Sequence, residues 1–230
     1  MSFTKLMTRK LTNYDNQNSI GVKLRIKRIT PLLKMIESVF NEHGCVNIVD
    51  IGGTEKYWNI VHREFLEEFR VKITIINLPG RSLPDNYGPF TFIHGDGCEM
   101  SAFDTNSFDI AHSNSVIEHI GDWSKMVVFS NELKRVAKKY FIQTPNYWFP
   151  IEPHCMTPFF HWLPKPIRIW LVMHFSLGHW RKANSIDEAV RIIESARLLN
   201  KKMLHELFDD AVINTEKLFL LSKSYLCIRE

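Results

Sequence analysis

A few short stretches of this sequence carry side chains that can do chemistry. Asp50 stands two residues before a glycine pair, Gly52–Gly53, where an apolar run stops. Asn77 lies at the end of a second apolar run, and Asp96 sits between Gly95 and Gly97 after a third. Glycine lacks a Cβ, so the chain at Gly52–Gly53 can turn tightly and a ligand can approach its backbone. The amide of Asn77 can bond ribose hydroxyls, and the carboxylate of Asp96 can accept from an exocyclic amine such as that of adenine. Histidine titrates near neutrality and is the default proton acceptor. His119, preceded by Glu118, and His154, preceded by Glu152–Pro153, are the two candidates for that role. His161, His174 and His179 read as packing or lid residues. No His/Asp/Glu set has the sequence spacing of a metal site, so no metal is expected.

The elements that must position these residues follow from periodicity. Residues 46–51 are a short β-branched run stopped by glycine, as in a strand buried on both faces. Thr54 then suits a helix N-cap, with Glu55 in the first turn and a helix over 55–69. Further strands are expected at 71–78, 90–94, 108–112 and 139–144, with a helix over 123–138 before the last. Strands alternating with helical segments imply right-handed crossovers and a parallel sheet. Asp50, Asn77 and Asp96 then fall at the carboxyl ends of successive strands, the edge where open α/β sheets bind ligands.

The flanks differ in character. Residues 1–19 are polar and aperiodic and read as a mobile arm. Residues 20–40 place apolar side chains three or four apart on one helical face, with Thr30–Pro31 as a candidate break into two helices. Lys23, Arg25, Lys27 and Arg28 precede it; they read either as a solvated face or as the source of one arginine that reaches a ligand carboxylate. Residues 147–180 are dense in aromatics, prolines and histidines, and the prolines forbid one long helix. A short apolar helix is expected over 166–177, then helices over 185–196, with Ser185 as cap, and 200–208. The tail, 211–228, suits two strands. Tyr147, Trp148, Phe149, Phe159, Phe160 and Trp162 either wall an apolar cleft or are core. Ile167, Trp170, Leu171 and Phe175, beside Lys165 and Arg168, also suit a membrane surface.

Composition narrows the class. The chain has 230 residues, 45% hydrophobic and 23% charged, which allows a sizeable core in one large domain. A net charge of +4 without blocks of like charge argues against nucleic acid as a partner. Four dispersed cysteines without zinc-finger spacing read as reduced thiols of a cytoplasmic protein. The first residues lack an apolar signal region, and no run of roughly 18 uncharged apolar residues predicts a spanning helix.

Taken together, VDIGGTEKYW, IINLPG, HGDGCEM, FDIAHSNSVIEHI and YFIQTPNYWFPIEPH resemble the class I S-adenosylmethionine-dependent methyltransferases. The likeness is to the bacterial small-molecule type whose first motif reads D-x-G-G-T, and it covers residues 46–146. It implies a Rossmann-like, seven-stranded, mostly parallel sheet with an antiparallel last strand, helices on both faces and an aromatic-rich insertion. It implies a helical arm or lid over 1–45 and a methyltransferase domain over 46–230, with 147–185 recognising the acceptor. The implied cofactor is S-adenosyl-L-methionine, leaving as S-adenosyl-L-homocysteine. Asp50, Gly52 and Gly53 are implied beside its methionine moiety, Asn77 and Leu78 at the ribose, Asp96, Gly97 and Cys98 at the adenine, and Ser113 near the sulfonium. The expected acceptor is a small molecule, sugar or lipid-linked precursor, methylated at oxygen or nitrogen with His154 or His119 as base. Two departures stand out: the family has an acid where this chain has Asn77, and its G-x-G-x-G turn is reduced to Gly52–Gly53–Thr54. They motivate a rival reading as a non-catalytic accessory protein. A nucleic-acid methyltransferase is disfavoured because Ser113–Asn114–Ser115 replaces the Asn/Asp-Pro-Pro-Tyr/Phe motif of base methylation. Oligomeric state is open.

Overall fold

The computed structural model describes residues 20–80 and 82–230; the expected arm over 1–19 lies outside the described residues. Helix α1 (Ile20–His43) leads into β1 (Val46–Ile51), followed by two short helices, α2 (Glu55–Trp58) and α3 (Arg63–Glu68). Then come β2 (Val71–Asn77), β3 (Phe90–His94), β4 (Phe108–Asn114), α4 (Trp123–Val136) and β5 (Ala137–Pro145). A small hairpin, β6 (Ile151–Glu152) with β7 (Thr157–Pro158), precedes α5 (Lys165–His174), α6 (Ile186–Glu194) and α7 (Lys201–Leu207). The strands β8 (Val212–Leu218) and β9 (Leu221–Arg229) end the chain.

One seven-stranded sheet runs in the order β3-β2-β1-β4-β5-β9-β8. The first five strands are parallel, and β9 slots antiparallel between β5 and β8. This is the doubly covered, Rossmann-like sheet expected from the alternation. Its strands are apolar on both faces because both faces are buried. In β1, Val46 and Ile48 pack with Leu32, Trp58 and Leu66 on the α1–α3 side. Val49 and Ile51 pack with Phe129, Leu133 and Leu204 on the α4–α7 side. The strand order reverses between β1 and β4, and the crevice at that switch is where the candidate residues converge.

Several boundaries differ from the periodic reading. α1 continues through Pro31 instead of breaking, and Thr30 Oγ1 bonds the Ile26 carbonyl 3.1 Å away. Arg28 reaches a carboxylate of the protein itself: its guanidinium bonds both oxygens of Glu216 on β8. The single helix expected over 55–69 is two, separated after Trp58, whose indole N–H is drawn down to Asp50. Thr54 occupies the N-cap position of α2 without a side-chain cap bond, whereas Ser185 caps α6 by accepting from Glu188 N–H. The aromatic segment and α6 share a small core, with Cys155, Phe160, Val172 and Ala189 buried. Of the six aromatics expected in a cleft wall or core, Phe160 is buried while Trp148, Phe159 and Trp162 are exposed. Ile167, Trp170 and Phe175 are exposed along and just after α5. No described helix is long and apolar enough to cross a membrane.

Candidate active site

A cleft of about 550 Å3 opens at the carboxyl ends of β1, β2 and β3. Gly52, Asn77, Leu78, Asp96, Gly97 and Cys98 all line it, as do Ser115, Val116, His119, Ile120, Lys125 and Val128. Three strand ends thus deliver their polar or glycine residues to one crevice. Gly52 has φ +72°, a conformation glycine adopts freely, and a Cβ there would press to 2.7 Å from Val116. Gly53 does not line this cleft; it borders a smaller recess beside Asn77, Lys56 and Leu83.

The glycine pair is shaped from beneath. Asp50 is fully buried and does not face the cleft, contrary to the place expected beside the methionine moiety. Its Oδ2 accepts from Trp58 Nε1 at 2.8 Å, and its Oδ1 is 2.7 Å from His112 Nδ1. The carboxylate lies under the turn so closely that a Cβ on Gly53 would be 1.9 Å from Oδ2. Gly53 is therefore glycine because an internal carboxylate occupies the side-chain space. Asp50 positions the turn and does not line the cleft.

Asn77 explains its own departure from an acid. It is buried, and its Nδ2 donates to the Gly53 carbonyl at 3.0 Å, tying the end of β2 to the glycine turn. An aspartate has no N–H to give and would set a carboxylate against that carbonyl. Asp96 is exposed at the head of a tight turn, where its Oδ1 accepts from Cys98 N–H at 2.8 Å. Burial, together with the Asp96 carboxylate, pushes the Cys98 thiol up to about 11. The thiolate is the nucleophile, so alkylation of Cys98 by iodoacetamide should keep accelerating until pH is near 11. Because Cys98 lines the cleft, S-adenosylhomocysteine should slow that labelling; peptide mass spectrometry reads both results.

Ser113, expected near the sulfonium, is corrected. It is fully buried in β4, with Oγ bonded to the Ile51 carbonyl 3.2 Å away, so it links strands instead of facing the cleft. Ser115 takes the place on the cleft wall. It holds φ +55°, and its backbone N–H and Oγ both bond Gln143 at 2.9 Å. Strain of this kind collects at functional positions. Nothing in the sequence marks it, since alternation alone does not show where β4 ends.

The two candidate bases meet. His119, in a 3-10 turn over Ile117–His119, and His154, just after β6, face each other with Nε2 atoms 3.1 Å apart. His119 lines the cleft, and His154 stands behind it. His119 Nδ1 donates to the Ser195 carbonyl at 2.7 Å, and Arg197 N–H bonds the Glu118 carbonyl at 2.7 Å. These two bonds clamp the turn to the segment after α6. His154 Nδ1 donates to Glu152 Oε1 at 2.7 Å, while Glu152 Oε2 accepts from the backbone of His154 and Cys155 at 2.8 Å. Burial alone lowers His154, but the bonded Glu152 carboxylate outweighs it and the net shift is upward. Burial raises Glu152 in turn, yet its bonds to His154 and the backbone hold it below the ordinary carboxylate range. His119, without a carboxylate partner, is held down by burial. Glu118 is buried and raised to about 7; its Oε2 accepts from Thr144, and its Oε1 has no partner among the described residues.

No metal is expected from the sequence because no His/Asp/Glu set has metal-ligand spacing, but spacing does not report which side chains the fold brings together. Glu118, His119 and His154 each bring one ligand atom to within 4.8 Å of the others. The set was invisible because the two histidines are 35 residues apart and only the β4–β5 pairing joins them. His161 Nε2 donates to the Tyr147 carbonyl and His174 Nδ1 to the Trp170 carbonyl.

Residues 63–140 match the family described as "Methyltransferase domain". That segment is similar to a methyltransferase domain, and the seven-stranded sheet is the fold expected of the class I S-adenosylmethionine-dependent type. Among solved structures it is similar to a SAM-dependent methyltransferase from Archaeoglobus fulgidus, at 12% identity and a TM-score of 0.57, covering 99% of both chains. It is also similar to an O-methyltransferase family protein from Burkholderia thailandensis, at 10% identity and a TM-score of 0.48. There the match covers 98% of this chain but 63% of the other, so the chain spans less than two thirds of that structure. Magnesium protoporphyrin IX methyltransferase from Synechocystis PCC 6803, solved with bound SAH, matches at 9% identity and a TM-score of 0.49, covering 99% and 95%. No curated protein matches the sequence. The cleft suits the expected cofactor, S-adenosylmethionine. The volume is that of a small-ligand site, and side-chain-free Gly52 admits a ligand against the backbone while Asp96 supplies a hydrogen-bond acceptor.

Proposed function

We propose that the protein is an enzyme that transfers a methyl group from S-adenosylmethionine to an oxygen of a small-molecule, sugar or lipid-linked acceptor. The observation that carries this is the convergence of Gly52, Asn77 and Asp96 on one cleft that His119 also lines. The bound cofactor supplies an activated methyl group. Gly52 leaves room for its crowded end, Asn77 and Leu78 flank the ribose, and Asp96 with the turn at Gly97 and Cys98 receives the adenine. The acceptor's reacting oxygen meets the cleft at His119 Nε2, one of the titratable groups that line it. His154, held by Glu152, supports that atom from behind.

The segment over 147–185 serves acceptor recognition. It shares a small core with α6, leaves aromatics exposed and carries His154 to His119. A nitrogen acceptor is the variant of the same chemistry, and the cytoplasm, where four free cysteines stay reduced, is the compartment that suits it. Asn77 and the shortened glycine turn motivate a non-catalytic reading, and the bond from Asn77 to Gly53 gives the first of them a structural reason. Calorimetric titration with S-adenosylhomocysteine tests the proposal. Saturable binding of one molecule per chain is expected; a folded protein that does not bind ends it.

A further inference from the structure

We propose that Glu118, His119 and His154 form a binding site for a first-row divalent transition cation such as Zn2+, at the acceptor end of the cleft. The inference deepens the functional reading above and rests on its assignment of the His119 wall to the acceptor.

The argument begins with the protons on the two rings. His119 Nδ1 is 2.7 Å from a backbone carbonyl and His154 Nδ1 is 2.7 Å from a carboxylate. Both partners only accept, so both Nδ1 atoms carry hydrogen. Each neutral ring then has its lone pair on Nε2, and these two atoms are 3.1 Å apart. Two lone pairs at that distance repel. An electrophile must stand between them, and it is either one proton or one cation.

A shared proton satisfies the rings and nothing else. Glu118 is 1% exposed, its Oε1 has no partner among the described residues, and a carboxylate oxygen of this residue belongs to the same cluster. A divalent cation serves all three groups. Nitrogens about 2.1 Å from a zinc ion at octahedral or tetrahedral angles are roughly 3.0–3.4 Å from each other, and the observed separation falls in that range. The outer partners also match. Metal-bound histidines commonly donate their other N–H to a carboxylate or a backbone carbonyl, which orients the ring and raises its basicity. Here Glu152 and Ser195 do so. Two imidazoles and one carboxylate leave coordination positions open, and His119 turns this cluster toward the cleft. A cation there can hold and polarise an acceptor hydroxyl as a Lewis acid.

The test uses the untagged full chain, stripped with a chelator, titrated with Zn2+ by calorimetry and with Co2+ by visible absorption. One equivalent of saturable binding is expected, with d–d bands of a nitrogen and oxygen environment. His119→Ala and His154→Ala should each weaken binding by more than the roughly 10–100-fold that loss of an outer partner produces. Circular dichroism and S-adenosylhomocysteine titration on each variant establish that it is folded. Where a variant does not fold, Glu118→Gln replaces it, and in the wild type the ring signals of His119 and His154 should broaden with Co2+. No saturable binding, binding unchanged in both histidine variants, or thiolate charge-transfer bands would overturn the site. Loss of cofactor binding in the wild type would instead strike the functional reading, so the two failures are distinguishable.

Discussion

Asp50→Ala should lower the folding free energy by about 3–5 kcal/mol, since each buried donor left without an acceptor costs about 1–3 kcal/mol and the lost side chain leaves a cavity. Both oxygens are in use, one by Trp58 Nε1 and one by His112 Nδ1, and all three side chains are at most 1% exposed. Truncation leaves two buried donors without acceptors and a hole beneath Gly53. His112 Nε2 has no partner among the described residues, so the ring does not recover by swapping its proton to that nitrogen. Asp50→Asn keeps the shape and one good acceptor and should lose roughly half as much. In a chain of this length each kcal/mol moves the melting temperature by about 2–4 °C, so the alanine variant should melt roughly 10 °C lower or more. Urea unfolding of the three proteins checks the ranking. A loss below about 1 kcal/mol for the alanine variant would mean that the carboxylate is replaceable, and the account of the glycine turn would be wrong.

The same residue shows how far the sequence could be read. That a short β-branched run stopped by glycine is a doubly buried strand is a local matter of pattern, and β1 begins and ends as the pattern predicts. So does the convergence of Gly52, Asn77 and Asp96, because a parallel sheet places successive strand ends along one edge. What Asp50 does was not legible. An acid before a glycine pair looks the same whether its carboxylate faces a ligand or an indole eight residues on, and the choice depends on His112 from a neighbouring strand. Ser113 failed for a related reason. Period-two alternation fixes faces only once the end of β4 is known, and that strand runs two residues further than its apolar residues suggest. The helix expected over 55–69 failed because Trp58 answers to Asp50, a tertiary contact that periodicity cannot contain. His119 and His154 were each found as single candidates. Their opposition is a property of β4 beside β5, with the segment after α6 clamped to the turn between them.

Asp96→Ala should weaken S-adenosylhomocysteine by roughly 10–150-fold, the range for losing a hydrogen bond to a charged group. The carboxylate is the acceptor on the β3 wall of the cleft, and an exocyclic amine has no better partner there. Its Oδ1 is engaged with Cys98 N–H, so one oxygen shapes the turn while the carboxylate as a whole sets the charge beside the adenine. The two effects separate by substitution. Asp96→Asn retains an acceptor for Cys98 N–H and should preserve the turn while losing the charge, falling between wild type and alanine in affinity. Stability should change little in either variant, since Asp96 is exposed and leaves no buried group unpaired. Calorimetry for affinity and thermal melting for stability, run on the same samples, check both halves. Asp50 should behave in the opposite way, losing stability first and affinity only through the loosened turn. Should Asp96→Ala bind the product as tightly as wild type, the adenine does not lie against β3, and the orientation assigned to the cofactor in this cleft is reversed.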